Sequence, residues 1–222
     1  MIERVAVIGG TGEQGFGLAV RWAQAGIECV IGSRDQRRAE EAARRVVEVV
    51  AGGRVRGLEN AAAASAARVV VVAVPFAGQA AIYRSIAPAL DDGSVVIDCT
   101  VPLAAAVGGR PTQVLGVWQG SAAQQAASLL ERGTLGAAFH SLSGATLQNL
   151  EAVLDGDVLA CGPGGVKPVV AELTEALPGL RFVDAGPLAS ARLVEPITAL
   201  LVGINRRYKV HGAGVRITGL PG

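Results

Sequence analysis

Large rings and titratable side chains suited to catalysis are scarce in this sequence. Its 222 residues include four Phe, two Trp, two Tyr, two His, one Met and three Cys. So few rings argue against a lectin-like site or a haem pocket. Cys29, Cys99 and Cys161 are far apart and share no spacing with His. Neither a disulfide framework nor a metal site is expected from them. Each falls in or at the end of an expected strand and reads as a buried thiol, which fits a cytoplasmic protein. Charge of one sign is also missing: 20 Lys and Arg face 19 Asp and Glu, a formal net charge of +1. That excludes a globally basic nucleic-acid binder. Long apolar runs are absent as well. Val69–Phe76 and Pro196–Ile204 fall well short of the roughly 20 residues a membrane span needs. MIERVAVIGG runs straight into a strand without a signal-peptide pattern, so no membrane partner is expected.

What is abundant is small or β-branched. Ala, Val and Gly account for 99 of the 222 residues. Short Val/Ile runs alternate with Ala-rich helical stretches. Strands are expected at 4–8, 28–31, 55–57, 68–74, 95–99, 135–139, 157–161 and 181–184. Helices are expected between them and over 188–208. Val69–Val74 is apolar at consecutive positions, as in a parallel strand covered on both faces. The alternation implies right-handed crossovers and a Rossmann-like, doubly wound α/β fold with a mainly parallel sheet. That unit is expected over residues 1–185. A small C-terminal helical extension, 186–222, must pack on it or on another subunit.

Gly10-Thr11-Gly12-Glu13-Gln14-Gly15 follows the first strand and opens the first helix, the context a dinucleotide turn requires. Gly10 permits the tight turn, and Gly12 lets backbone N–H groups approach a pyrophosphate. Gly15 allows close helix–strand packing. The second strand then runs into Ile31-Gly32-Ser33-Arg34-Asp35-Gln36-Arg37-Arg38. From Arg34 to Arg56 there are seven Arg and four acids. A hydroxyl and forked guanidinium groups suit the 2′-phosphate of NADP, and Asp35 is the one residue placed to serve NAD instead. Val74-Pro75-Phe76 and Val101-Pro102 end two further strands at the same edge of the sheet. Each Pro stops pairing and turns the chain across the nicotinamide side.

The inventory for acid–base chemistry is thin. No Tyr-x-x-x-Lys pair and no Ser–His–Asp order stand out. His140, directly after an expected strand, is the best catalytic candidate. Hydride exchange between two redox cofactors needs little more than alignment and exclusion of water, because the cofactors carry the chemistry.

The segments IGGTGEQGFGLAVRWA, IGSRDQRR, VAVPF, DCTVPL, AAFHSLSGATLQNLE, DAGPLASARLVEPITALL and NRRYKVHGAGVRITGL resemble the F420H2:NADP oxidoreductases, or NADPH-dependent F420 reductases. The resemblance spans nearly the whole chain. It implies a Rossmann domain with a small extension, a homodimer, and hydride transfer between C4 of NADPH and C5 of the deazaflavin F420. It also implies that Thr11, Gly12, Glu13 and Gln14 line the pyrophosphate, and that Ser33, Arg34 and Arg38 hold the 2′-phosphate. Val74, Val101 and Gly144 would line the nicotinamide half, with His140 near the deazaflavin. One departure is Cys161-Gly162-Pro163-Gly164-Gly165, where relatives often carry acids. After Glu195 the chain has no acid but carries Arg206, Arg207, Lys209 and Arg216. Arg206 and Arg207 are therefore candidates to receive the anionic F420 tail, and 186–222 to contribute to the F420 site and the dimer. Two rival readings share the nucleotide half. One is a small NADPH-dependent reductase with a flavin, ferric or imine acceptor; the other is a non-catalytic NADP-binding redox sensor.

Overall fold

The computed structural model describes residues 1–220. Residues 221–222 of the expected C-terminal segment lie outside the described residues. In chain order the elements are β1 (Arg4–Ile8), α1 (Glu13–Gln24), β2 (Glu28–Ser33), α2 (Gln36–Val49), β3 (Val55–Glu59) and α3 (Asn60–Ser65). Then come β4 (Val69–Val72), α4 (Phe76–Ile86), β5 (Val95–Asp98), α5 (Ala122–Ala127), β6 (Thr134–Ala137) and α6 (Gly144–Gln148). The chain continues through β7 (Gly156–Ala160), α7 (Lys167–Glu175), β8 (Leu180–Asp184), α8 (Ala191–Val194) and α9 (Ile197–Tyr208).

Six strands form one parallel sheet in the order β3-β2-β1-β4-β5-β6. The chain reverses its direction of winding between β1 and β4, which opens a crevice beyond their carboxyl ends. Val69–Val72 are all buried, as a strand with helices on both faces requires. The apolar residues divide into two clusters, one on each face of the sheet. Trp22 of α1 anchors the first: it is fully buried, donates from Nε1 to the Leu173 carbonyl at 3.0 Å, and meets Phe139 edge-to-face at 5.7 Å.

Three features differ from the expected pattern. β7 and β8 pair with each other and form a separate two-stranded parallel sheet. They join the main sheet through an antiparallel bridge between Ala137 and Cys161. The expected strand 68–74 is regular only to Val72, and Pro75 caps the start of α4. The expected helix 188–208 is broken into a 3-10 turn, α8 and α9, with Pro196 at the last break. By length and composition alone that stretch is apolar enough to cross a bilayer, with mean hydropathy 1.3. Its Glu195, however, is buried and hydrogen-bonded inside the fold. The tail lies along β7: Asp157 N–H donates to the Val215 carbonyl and Ile217 N–H to the Asp157 carboxylate. Arg181 closes this corner with two 2.9 Å bonds to Asp157.

Candidate functional site

A cavity of about 470 Å³ opens beyond the ends of β1, β2 and β4. Gly9, Thr11 and Gly12 form one wall, Ser33, Arg34, Asp35 and Arg38 a second, and Val74 and Pro75 a third. Gly9 has φ +82°, and a Cβ there would lie 2.4 Å from the Ala73 carbonyl oxygen. Gly12 precedes α1 in extended backbone with no side-chain cap. The first-turn N–H groups of a 12-residue helix are thus left for an anion, with the helix dipole behind them. Gly10 and Gly15 are buried beneath the turn.

Ser33 is buried, and its Oγ accepts from the Asp35 N–H at 3.3 Å. Asp35 caps α2, accepting from Arg37 N–H at 2.9 Å and Arg38 N–H at 3.4 Å. Its carboxylate is therefore engaged with the helix, the usual use of Asp at this position. Arg34 and Arg38 are exposed and have no ion-pair partner among the described residues.

The other flank of the glycine turn brings Glu13, Gln14, Gly144 and His140 together. Gln14 Nε2 donates to the Phe139 carbonyl at 2.7 Å, and Gln148 Nε2 to the Glu13 carbonyl at 3.0 Å. A Cβ on Gly144 would fall 2.8 Å from Glu13 Cγ. Phe139 sits at φ +66°, an uncommon backbone for a ring-bearing residue, and this turn sets the direction of His140. His140 is 4% exposed, and neither ring nitrogen has a hydrogen-bond partner among the described residues. Burial pushes its pKa down to about 4, so the ring is neutral at pH 7.

Phe76, Val101 and Pro102 do not line the cavity. Phe76 begins α4, and Val101 and Pro102 lie on the exit of β5, where Leu115 N–H donates to the Pro102 carbonyl at 2.7 Å. Arg206 and Arg207 project from the last turn of α9, outside the cavity. A larger cavity, about 770 Å³, lies at the opposite pole, lined by Ile2, Ile27 and Arg54, which precede β1, β2 and β3. Size alone does not pick the site: in a doubly wound sheet, ligands bind at the carboxyl ends of the strands.

A family model described as coenzyme F420-dependent NADP oxidoreductase matches residues 4–102. An F420-dependent NADP reductase of Methanothermobacter thermautotrophicus is 43% identical, covering 100% of this chain and 97% of that protein. The chain belongs to the F420-dependent NADP reductase family. The F420-dependent NADP reductase of Methanocaldococcus jannaschii is 37% identical over 98% of this chain and 99% of its own. A solved structure of a candidate F420-dependent NADP-reductase from Arthrobacter shares the fold at TM-score 0.83 and 20% identity, covering 98% of this chain and all of that one. A reductive aminase from Aspergillus terreus shares it more loosely, at TM-score 0.62 and 14% identity, covering 94% and 63%.

Sequence reasoning missed two residues that line this reductase cavity and two buried acids that lie outside it. Gly9 precedes the recognised motif, yet it packs against the exit of β4. Asn60, 6% exposed, lines the cavity from the start of α3. Asp98 and Glu195 are buried acids in two of the quoted segments. No ion-pair partner is found for either among the described residues. Burial pushes Asp98 up to about 6 and Glu195 up to about 7, against hydrogen bonds that pull both down. A raised carboxyl binds its proton more tightly in the folded state. Its stabilising contribution is complete below the unfolded pKa near 4.5 and is lost as pH rises through 7. For Glu195 the swing is roughly 3 kcal/mol. The stability of the wild type relative to Glu195→Gln should therefore fall by about that much between pH 4.5 and pH 7.5. Urea unfolding at both pH values measures it; a constant gap between the two proteins would refute the assignment.

Proposed function

We propose that the chain transfers a hydride between C4 of NADP(H) and C5 of coenzyme F420. In the direction of F420 reduction, the C4–H bond of NADPH breaks and its electron pair forms the new C5–H bond. A solvent proton neutralises the reduced deazaflavin, and NADP⁺ leaves. The full-length 43% identity to an F420-dependent NADP reductase carries this reading. The cavity supports it: Thr11 and Gly12, which line it, serve the pyrophosphate together with Glu13 and Gln14 on the adjoining flank of the turn, while Ser33, Arg34 and Arg38 serve the 2′-phosphate. Val74 and Pro75 border the nicotinamide half from the cavity wall, Phe76, Val101, Pro102 and Gly144 border it from outside the cavity, and Gly10 and Gly15 shape the turn. His140, neutral at pH 7, positions the deazaflavin rather than donating a proton to it. Mixing the protein with NADPH and F420, and separately with NADPH and FMN, tests the acceptor. Loss of F420 absorbance alone is the expected result; FMN reduction without F420 reduction would overturn it.

Residues 186–222 form the extension that completes the F420 site and the dimer, and residues 1–185 the NADP-binding unit. The enzyme works in the cytoplasm as a homodimer, without membrane or nucleic acid. Supporting the dimer, Leu193 of α8 and Leu200 and Tyr208 of α9 are exposed large side chains. Light scattering of the purified protein decides it. Arg206 and Arg207 receive the F420 phosphate and glutamate tail. Arg206→Ala with Arg207→Ala should raise KM for F420 about threefold to tenfold at low salt and flatten its salt dependence. An unchanged KM with an unchanged salt response excludes that role.

A further inference from the structure

Asp98 is fully buried at the end of β5 and gathers four hydrogen bonds. Oδ1 accepts from the Thr100 N–H at 2.8 Å. Oδ2 accepts from Tyr83 Oη at 2.7 Å, Gln79 Nε2 at 3.0 Å and Thr100 Oγ1 at 3.3 Å. The first of these bonds shapes the turn that leads into Val101 and Pro102. Glu195 is 1% exposed between α8 and α9 and accepts from the N–H groups of Ala122 at 2.8 Å and Ala123 at 3.0 Å. These are the first two residues of α5.

The two acids share one path. The peptide group joining Ala122 to Ala123 donates its N–H to Glu195 and accepts Gln79 Nε2 on its carbonyl at 3.0 Å. Gln79 is held in turn by Gln125, which donates to its Oε1 at 2.8 Å. Hydrogen bonds in series polarise one another, so the path from Glu195 through Gln79 to Asp98 and Thr100 acts as a unit. It also reaches the opposite loop. Thr198, one turn after Glu195, donates from Oγ1 to the His140 carbonyl at 2.9 Å.

Burying two carboxylates without a cation is costly, and apolar residues would pack this corner at lower cost. What the arrangement provides is a fixed separation between the exit of β5 and the segment that bears α9. We propose that Asp98 and Glu195 are positioning residues for hydride transfer, holding the loops at Val101 and at His140 in register across the two rings. The inference rests on the reading of those loops as the borders of the ring site. Neither acid touches a substrate.

The test uses amide replacements of equal size. Asp98→Asn leaves one acceptor for Thr100 N–H but turns an NH₂ toward Gln79 Nε2, which can only donate, and toward two hydroxyls that must reverse to accept it. Glu195→Gln turns an NH₂ toward one backbone N–H. Each should slow single-turnover F420 reduction about tenfold, with NADP⁺ Kd within about twofold of wild type. Because one path is cut twice, the double variant should be no slower than the slower single variant. Tyr83→Phe, which removes only the 2.7 Å bond and keeps the ring packing, should give a smaller loss of the same kind, about threefold. It carries the test if either amide variant fails to fold. Unchanged rates, losses that multiply in the double variant, or losses that follow NADP⁺ affinity would each overturn the proposal. A failure of the site reading itself would show elsewhere, as a wild-type protein that binds NADPH but does not reduce F420.

Discussion

Replacing Arg34 with Ala should weaken NADP⁺ binding by about thirtyfold to a hundredfold and leave NAD⁺ binding within about twofold. Hydrogen bonds to a charged group contribute roughly 1.5–3 kcal/mol, and each 1.4 kcal/mol is about tenfold in Kd. Arg34 borders the cavity, is exposed, and has no competing carboxylate partner among the described residues. Its guanidinium is therefore available to a dianionic phosphate. Ser33 and Arg38 remain in the variant, so binding is reduced rather than abolished. NAD⁺ lacks the phosphate and meets Asp35 at the same place, but that carboxylate is engaged with the Arg37 and Arg38 N–H groups. Arg34→Lys should lie between, because an ammonium offers a point charge without the fork. Titration calorimetry with both nucleotides measures the difference. Equal losses for the two would mean that Arg34 supports the α2 cap and not the phosphate.

The sequence made this wall of the site readable because its signals are local. A strand, a glycine turn and a helix follow one another within 24 residues. Ser33-Arg34 comes straight off the next strand. Val69–Val72 announce a strand covered on both faces by their unbroken apolar run. The contacts that escaped sequence reasoning are long-range. Nothing near Glu195 indicates that it caps α5, and nothing near Asp98 indicates Tyr83 and Gln79 above it. The departure of β7 and β8 from the main sheet is also tertiary. Their composition is ordinary for parallel strands, and the separation depends on Cys161 crossing β6 at Ala137. That crossing needs Gly136, where a Cβ would lie 2.4 Å from Val166 Cγ1 and 2.9 Å from the Cys161 carbonyl oxygen. The break at Pro196 could have been read locally, since a proline inside a helical pattern removes a backbone donor and crowds the preceding turn. Apolar composition on both sides of it outweighed that signal.

Gly15→Ala should cost the fold about 1–3 kcal/mol and weaken NADP⁺ and NAD⁺ alike, by about a hundredfold. Intrinsic preference points the other way: Ala in a helix is about 1 kcal/mol better than Gly. Space decides against it. The new Cβ would lie 2.6 Å from the Gly9 carbonyl oxygen and 3.0 Å from Gly10 Cα. Both neighbours are backbone, so no flexible side chain can give way. The turn cannot retreat, because Gly9 is already against Ala73 of the β4 exit. Nor can α1 slide as a rigid body. Arg21 donates to the carbonyls of Leu147, Thr146, Asn149 and Ala152, and Trp22 to that of Leu173. The helix must tilt at its first turn, where its N–H groups face the pyrophosphate, a group common to both nucleotides. Loss of affinity without nucleotide preference therefore separates this variant from Arg34→Ala. A Gly15→Ala protein with higher Tm and unchanged Kd for both nucleotides would show that close packing of α1 on the turn does not set the pyrophosphate site.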